Sequence, residues 1–169
     1  MKILKIISVI FFSFCLFGFN NKKKTVGIKQ EIPVDFYFAI RDGANDVYNS
    51  QYNSFYRNYI EEEKTIKVEL TKEEKEKIYL YIKKVNFFEM PMEFKPTGII
   101  NINNAWFKQK VIVVYANNKK SFVSYNYGYT NDANDKKAKP FLDLYNMIWD
   151  ILYKKKEISE LPKSDYKYH

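Results

Sequence analysis

After the first twenty residues, short runs of period-two hydrophobic spacing alternate with helical spacing. Val34, Phe36, Phe38 and Ile40 share one face at period two and predict a first strand over Val34–Ile40. Arg41 to Asp46 follows as a turn, with Gly43 and the Asn and Asp residues supplying backbone freedom. Val47–Ile60 fits two templates. Tyr48, Tyr52, Phe55, Tyr56 and Tyr59 have helical spacing, yet the Asn and Ser residues between them compete with a helix backbone, and Tyr favours pleated surfaces. We read two short strands or one bent strand, weakened at Asn49-Ser50 and Asn53-Ser54. After the polar connection Glu61-Glu62-Glu63-Lys64, Ile66, Val68 and Leu70 alternate as another strand.

Thr71-Lys72-Glu73-Glu74 is a capping box, and Ile78, Tyr81, Ile82 and Val85 continue it as an amphipathic helix. Phe87 to Pro91 ends that helix, because proline removes a donor and biases Met90 away from helical dihedrals. Met92–Thr97 reads as an irregular crossing, and Ile99–Ile102 as a short strand before Trp106. Val111–Tyr115 is continuously apolar and predicts a central strand buried on both faces. Asn117-Asn118 then suits a tight hairpin, since Asn tolerates positive φ, with Ser121–Tyr127 as the partner strand. Pro140 opens a long helix through Phe141, Leu144, Tyr145, Ile148, Ile151 and Leu152, with Lys154 to Lys156 at its end. The expected fold is α+β: a mostly antiparallel sheet of about five to six strands with two helices packed on one face, in the order βββα-βββα.

Residues 1–20 follow a different pattern. Lys2 and Lys5 precede an uncharged run from Ile6 to Phe19, the arrangement of a secretory signal, and the run is short for a membrane-spanning helix. Phe11, Phe12, Phe14, Leu16, Phe17 and Phe19 leave no polar face for a surface helix. Three fates remain open: cleavage after a partial small-residue site at Gly18, retention as an anchor, or lipidation at Cys15. Residues 21–32 read as a polar lead-in, 33–157 as one domain and 158–169 as a polar C-terminal tail. Export to the periplasm, the cell surface or the medium is the expected location.

Composition narrows the chemistry. The chain has 169 residues, one Cys and one His, and the Cys lies in the leader. Cysteine and histidine nucleophile systems are therefore excluded from the mature part, as His169 is the last residue. Zinc seldom binds through carboxylates alone, the glycines are isolated, and neither a metal nor a cofactor is expected. Asn131 to Asp135 opens like a calcium loop, but Lys136 and Lys137 occupy required positions, so it reads as a helix-capping loop. Ser164 and Lys167 have Ser-x-x-Lys spacing but sit at the chain end. The formal net charge is +8, yet only Arg41 and Arg57 among the 28 basic residues are arginine. Such a lysine excess on an exported chain argues against nucleic acid as partner. A membrane would be met only through the N-terminal segment, if uncleaved or lipidated.

Aromatic residues make up 18% of the chain, and Tyr48, Tyr52 and Tyr56 with the nearby amides are candidates for a protein- or glycan-binding face. Trp106 is a second candidate; the bland alternative for all four is core packing. Tyr48-Asn49-Ser50, Phe55, Arg57, the run from Leu70 to Tyr79, then Phe87-Phe88 and Pro91 resemble a stretch in small exported bacterial envelope proteins. The resemblance spans roughly residues 48 to 96 and implies an envelope location; it carries no activity and transfers no site residues. The expected function is a non-enzymatic binding or interaction domain of the cell envelope, meeting a protein or glycan there. A carboxylate-dependent hydrolase and an inhibitor or immunity-type protein are the alternatives.

Overall fold

Asn117 and Asn118 show how local chemistry sets the sheet. Both have positive φ, 52° and 58°, as a two-residue hairpin matched to strand twist requires. They join β6 (Gln109–Ala116) to β7 (Lys119–Asn126), and the ladder runs from Ala116 opposite Lys119 to Gln109 opposite Asn126. The Asp35 carboxylate clamps this turn, accepting the Asn117 N–H at 2.9 Å and the Asn118 N–H at 2.7 Å. The computed structural model describes residues 31–94, 109–126 and 135–166. The leader with Cys15, most of the lead-in, the Ile99–Ile102 strand and Trp106 lie outside those residues.

Among the described residues four strands precede the first helix: β1 (Tyr37–Asp42), β2 (Asp46–Asn49), β3 (Ser54–Asn58) and β4 (Glu63–Lys67). They form an antiparallel meander, and β1 also pairs with β6. With the two-residue β5 (Glu93–Phe94), parallel to β7, the described sheet has the order β4-β3-β2-β1-β6-β7-β5. Helix α1 (Lys72–Lys84) starts on the expected capping box: Thr71 Oγ1 accepts the Glu74 N–H at 3.2 Å, and the Thr71 N–H donates to Glu74 Oε2 at 2.7 Å. It ends where Asn86 turns left-handed and Phe87–Glu89 makes one 3-10 turn. Helix α2 (Lys139–Leu152) has Pro140 in its first turn, after an Asp135 carboxylate that accepts the Lys137 and Ala138 N–H groups at 3.1 Å each. A one-turn helix, α3 (Lys156–Ser159), follows.

The class is mixed α+β as expected; several details differ. Val47–Ile60 is two strands around a turn with a left-handed Asn53. The first strand begins at Tyr37 instead of Val34, which is fully exposed, because the ladder begins only where Tyr115 and later Asn49 supply partners. Val68 and Leu70 lie past the end of β4 yet are buried, so their alternation reports burial without pairing. The crossing after Pro91 contains β5, held by Ser124, whose N–H donates to the Met92 carbonyl at 2.9 Å. Val111–Tyr115 is central in the sheet, but Val113 and Tyr115 are only half-buried. The segment read as a polar tail contains α3, with Ile158 buried in the core and Leu161 packed against it.

Period-two alternation sends Phe38, Ile40, Tyr48, Phe55, Ile112, Val114, Val123 and Tyr125 to one face. They form a single cluster with Ile78 and Ile82 of α1 and Phe141, Leu144, Ile148 and Leu152 of α2. Both long helices therefore cover the same side of the sheet.

The Asp35 clamp makes a pH prediction. The hydrogen bonds from Asn118 and then Asn117 hold its carboxyl below the ordinary carboxylate value. Its stabilising effect is thus present above the unfolded value, about 3.9, and is lost as pH falls through the lower folded value. Asp35→Asn should unfold at lower urea than the parent at pH 7, and the gap should close as pH falls below the ordinary carboxylate value. A gap unchanged in acid would rule out the carboxylate charge as its source.

Candidate functional site

The last row of inward-facing residues is charged. Successive cross-strand partners there are Lys64, Arg57, Asp46, Asp42, Lys110 and Tyr125, reading from β4 across to β7. Two residues along the strands the same face is wholly apolar or aromatic, with Ile66, Phe55, Tyr48, Ile40, Ile112 and Val123. The row is centred on a buried ion pair. Arg57 Nε and Nη2 donate to Asp46 Oδ1 and Oδ2 at 2.9 and 2.8 Å, a bidentate fork. Arg57 Nη1 donates to the Pro162 carbonyl at 3.0 Å, and the guanidinium carbon lies 5.2 Å from the Phe55 ring centroid. The Tyr153 hydroxyl donates to Asp46 Oδ2 at 3.0 Å. Partial burial and then the Asp46 charge push the Tyr153 phenol well above its ordinary value, so it remains a donor. The hydrogen bond to Asp46 likewise raises Arg57.

This cluster is built to hold, not to react. Asp46 is the only buried acidic residue among those described, and both of its oxygens accept hydrogen bonds from Arg57 and Tyr153. Ser164, of the Ser-x-x-Lys spacing, donates its hydroxyl to the Asn58 carbonyl and accepts the Tyr166 N–H. Its hydroxyl is committed to backbone. Among the described residues no group of three or more His, Cys, Asp or Glu is placed to hold a metal ion.

The opposite face of the sheet is different. Its rows run Thr65, Tyr56, Val47, Arg41, Val111 and Ser124, of which the last two are buried, then Lys67, Ser54, Asn49, Ala39, Val113 and Phe122, then Tyr37, Tyr115 and Lys120. None of these belongs to the core cluster that contains the buried helix side chains. Tyr37 and Tyr115 stack with centroids 5.0 Å apart and planes 16° apart. Phe122 is 39% exposed, and Tyr56 and Val47 are half-buried. Partial burial and a hydrogen bond to Glu63 raise the Tyr56 phenol. The outer face thus mixes aromatic and aliphatic side chains with the polar Asn49, Ser54 and Thr65 and the cations Arg41, Lys67 and Lys120.

The four candidates from sequence divide. Tyr48 is completely buried, and its hydroxyl donates to the Val68 carbonyl at 3.0 Å, so it is a core residue and not part of an exposed face. Tyr52, 69% exposed, stands in the turn between β2 and β3. Tyr56 belongs to the outer face, and Trp106 lies outside the described residues. Sequence reasoning missed Arg41, Val113, Tyr115 and Phe122 as one surface. Their parity in β1, β6 and β7 was readable, but only the strand register puts them side by side.

No protein-family model matches the chain, and a search of curated proteins finds no match either. The functional reading therefore rests on this chain's own geometry. Among the described residues no helix is long and apolar enough to cross a membrane.

Removing one partner of a buried pair strands the other charge, at a cost of about 3–5 kcal/mol. Asp46→Ala and Arg57→Met should each lose that much stability in urea unfolding. The double variant should lose much less than the sum, since it leaves no buried charge alone. Additive losses would show that the two side chains contribute independently.

Proposed function

We propose that this protein is an exported cell-envelope domain that works by binding, and that the outer face of its sheet meets a protein partner. The observation that carries the reading is the asymmetry of the sheet. One face is packed under α1 and α2, while the other sets Tyr37, Tyr56, Val47, Val113, Tyr115 and Phe122 side by side outside the core cluster. Such partly exposed aromatic and aliphatic groups gain by being covered. A protein suits the face better than a glycan, because Tyr37 and Tyr115 spend ring faces on each other instead of offering a flat platform. Export is supported by the basic start and uncharged run of residues 1–20. An inhibitor or immunity-type role is a special case of the same reading, distinguished by its partner. The hydrolase alternative is disfavoured at the one buried carboxylate described, Asp46, because both of its oxygens are engaged.

The test joins location to contact. A photo-crosslinking residue is placed at Phe122 in one strain and at Leu80, 49% exposed on α1, in another. Intact mass is then measured on the protein from separated cell fractions. Loss of about 18–20 residues, an envelope location and adducts from position 122 alone are expected. A cut before Cys15 with added acyl mass would place the domain at a membrane surface instead. A full-length cytosolic mass would overturn export, and equal adducts from both positions would overturn the face.

A further inference from the structure

We infer that the partner of the outer face is acidic and sets a carboxylate on Arg41; this rests on the reading of that face as the binding surface. Arg41 lies on β1, the fourth of seven strands in the described sheet, with Val47 and Val111 as its direct neighbours on β2 and β6. Its one described side-chain hydrogen bond is to a neutral acceptor, Gln109 Oε1, at 3.3 Å. A guanidinium carries five N–H donors in a rigid fork, so most of its capacity is unspent. The other arginine makes the contrast: Arg57 is buried and fully committed to Asp46 and Pro162.

Charge on the face is arranged around this centre. Lys120 lies on β7 beside Tyr115, and Lys67 on the outer β4 is paired with Glu69 at 3.0 Å. The carboxylates are peripheral, with Glu63 at the β4 edge bonded to Tyr56 and Glu93 on β5 at the other. A positive centre in apolar surroundings complements a carboxylate flanked by apolar side chains, and covering it would strengthen the pair by excluding water. A second copy of this chain fits poorly, because a two-fold axis through the face would bring Arg41 against its own copy. A nucleic-acid backbone would find one arginine amid valine and tyrosine, where it needs a row of cations.

The test uses the full chain as recovered from its cells, immobilised and panned against a displayed library of random peptides. Enriched sequences should carry Asp or Glu flanked by aromatic or aliphatic residues. For the tightest peptide, Arg41→Glu should weaken binding at least about tenfold and Arg41→Lys about threefold, since lysine lacks the fork. Phe122→Asp should weaken it too, and Leu80→Asp should not. Near-UV circular dichroism matching the parent shows that each variant is folded. If Phe122→Asp weakens binding but the peptides lack acidic residues or Arg41→Glu binds as before, the acidic partner is wrong and the face stands. If Phe122→Asp binds like the parent, both readings fall. A library that enriches nothing, a duplex DNA probe that outcompetes the peptides, or a concentration-dependent dimer broken by Phe122→Asp would each overturn the acidic-protein inference.

Discussion

The bidentate pair between Arg57 and Asp46 is the constraint on which one end of the molecule depends. Two ions taken from water lose several kcal/mol of hydration each, about as much as a domain can spare. They are tolerated because every strong donor and acceptor finds a partner: the fork on the carboxylate, the Pro162 carbonyl on Nη1, the Tyr153 hydroxyl on Oδ2. Those partners come from β2, β3, the residue after α2, and the segment after α3. Hydrophobic contacts alone would let these four pieces slide. A fork with fixed geometry does not, and Asp46 facing Arg57 pins the β2–β3 register.

The C-terminal segment is ordered by the same device. Tyr59 donates its hydroxyl to the Pro162 carbonyl at 2.9 Å, beside the Arg57 contact, and Asp165 accepts the Ile60 N–H at 3.0 Å. Glu74, which caps α1, also receives Lys155 from the junction between α2 and α3. Polar side chains at the ends of elements thus fasten the chain over its apolar core. None of them is spare for chemistry.

The two arginines then define two faces. Arg57 points inward, where burial demands a carboxylate from within the chain. Arg41 sits two strands further along, on the outer side, with only a neutral amide from within. The same side chain is structural in one setting and, on our reading, a recognition group in the other. Strand parity makes the difference, because residues one step apart face opposite sides.

Much of the fold was legible because it is local. The capping box at Thr71, the helical spacing from Ile78 to Val85, Pro140 opening α2 and the Asn117-Asn118 hairpin each act within a few residues. Sequence alone also determined that the chain carries a single cysteine, Cys15, and a single histidine, His169. It went astray where contacts are distant. Tyr48 reads as a binding tyrosine until Val68 takes its hydroxyl, and 158–169 reads as a polar tail until Arg57 and Tyr59 dock on Pro162. Periodicity states that a residue has a face, not what lies across from it. Which arginine is buried, which strand is central, and which side of the sheet stays outside the core were decided only by tertiary pairing, since those properties belong to the neighbours and not to the residue.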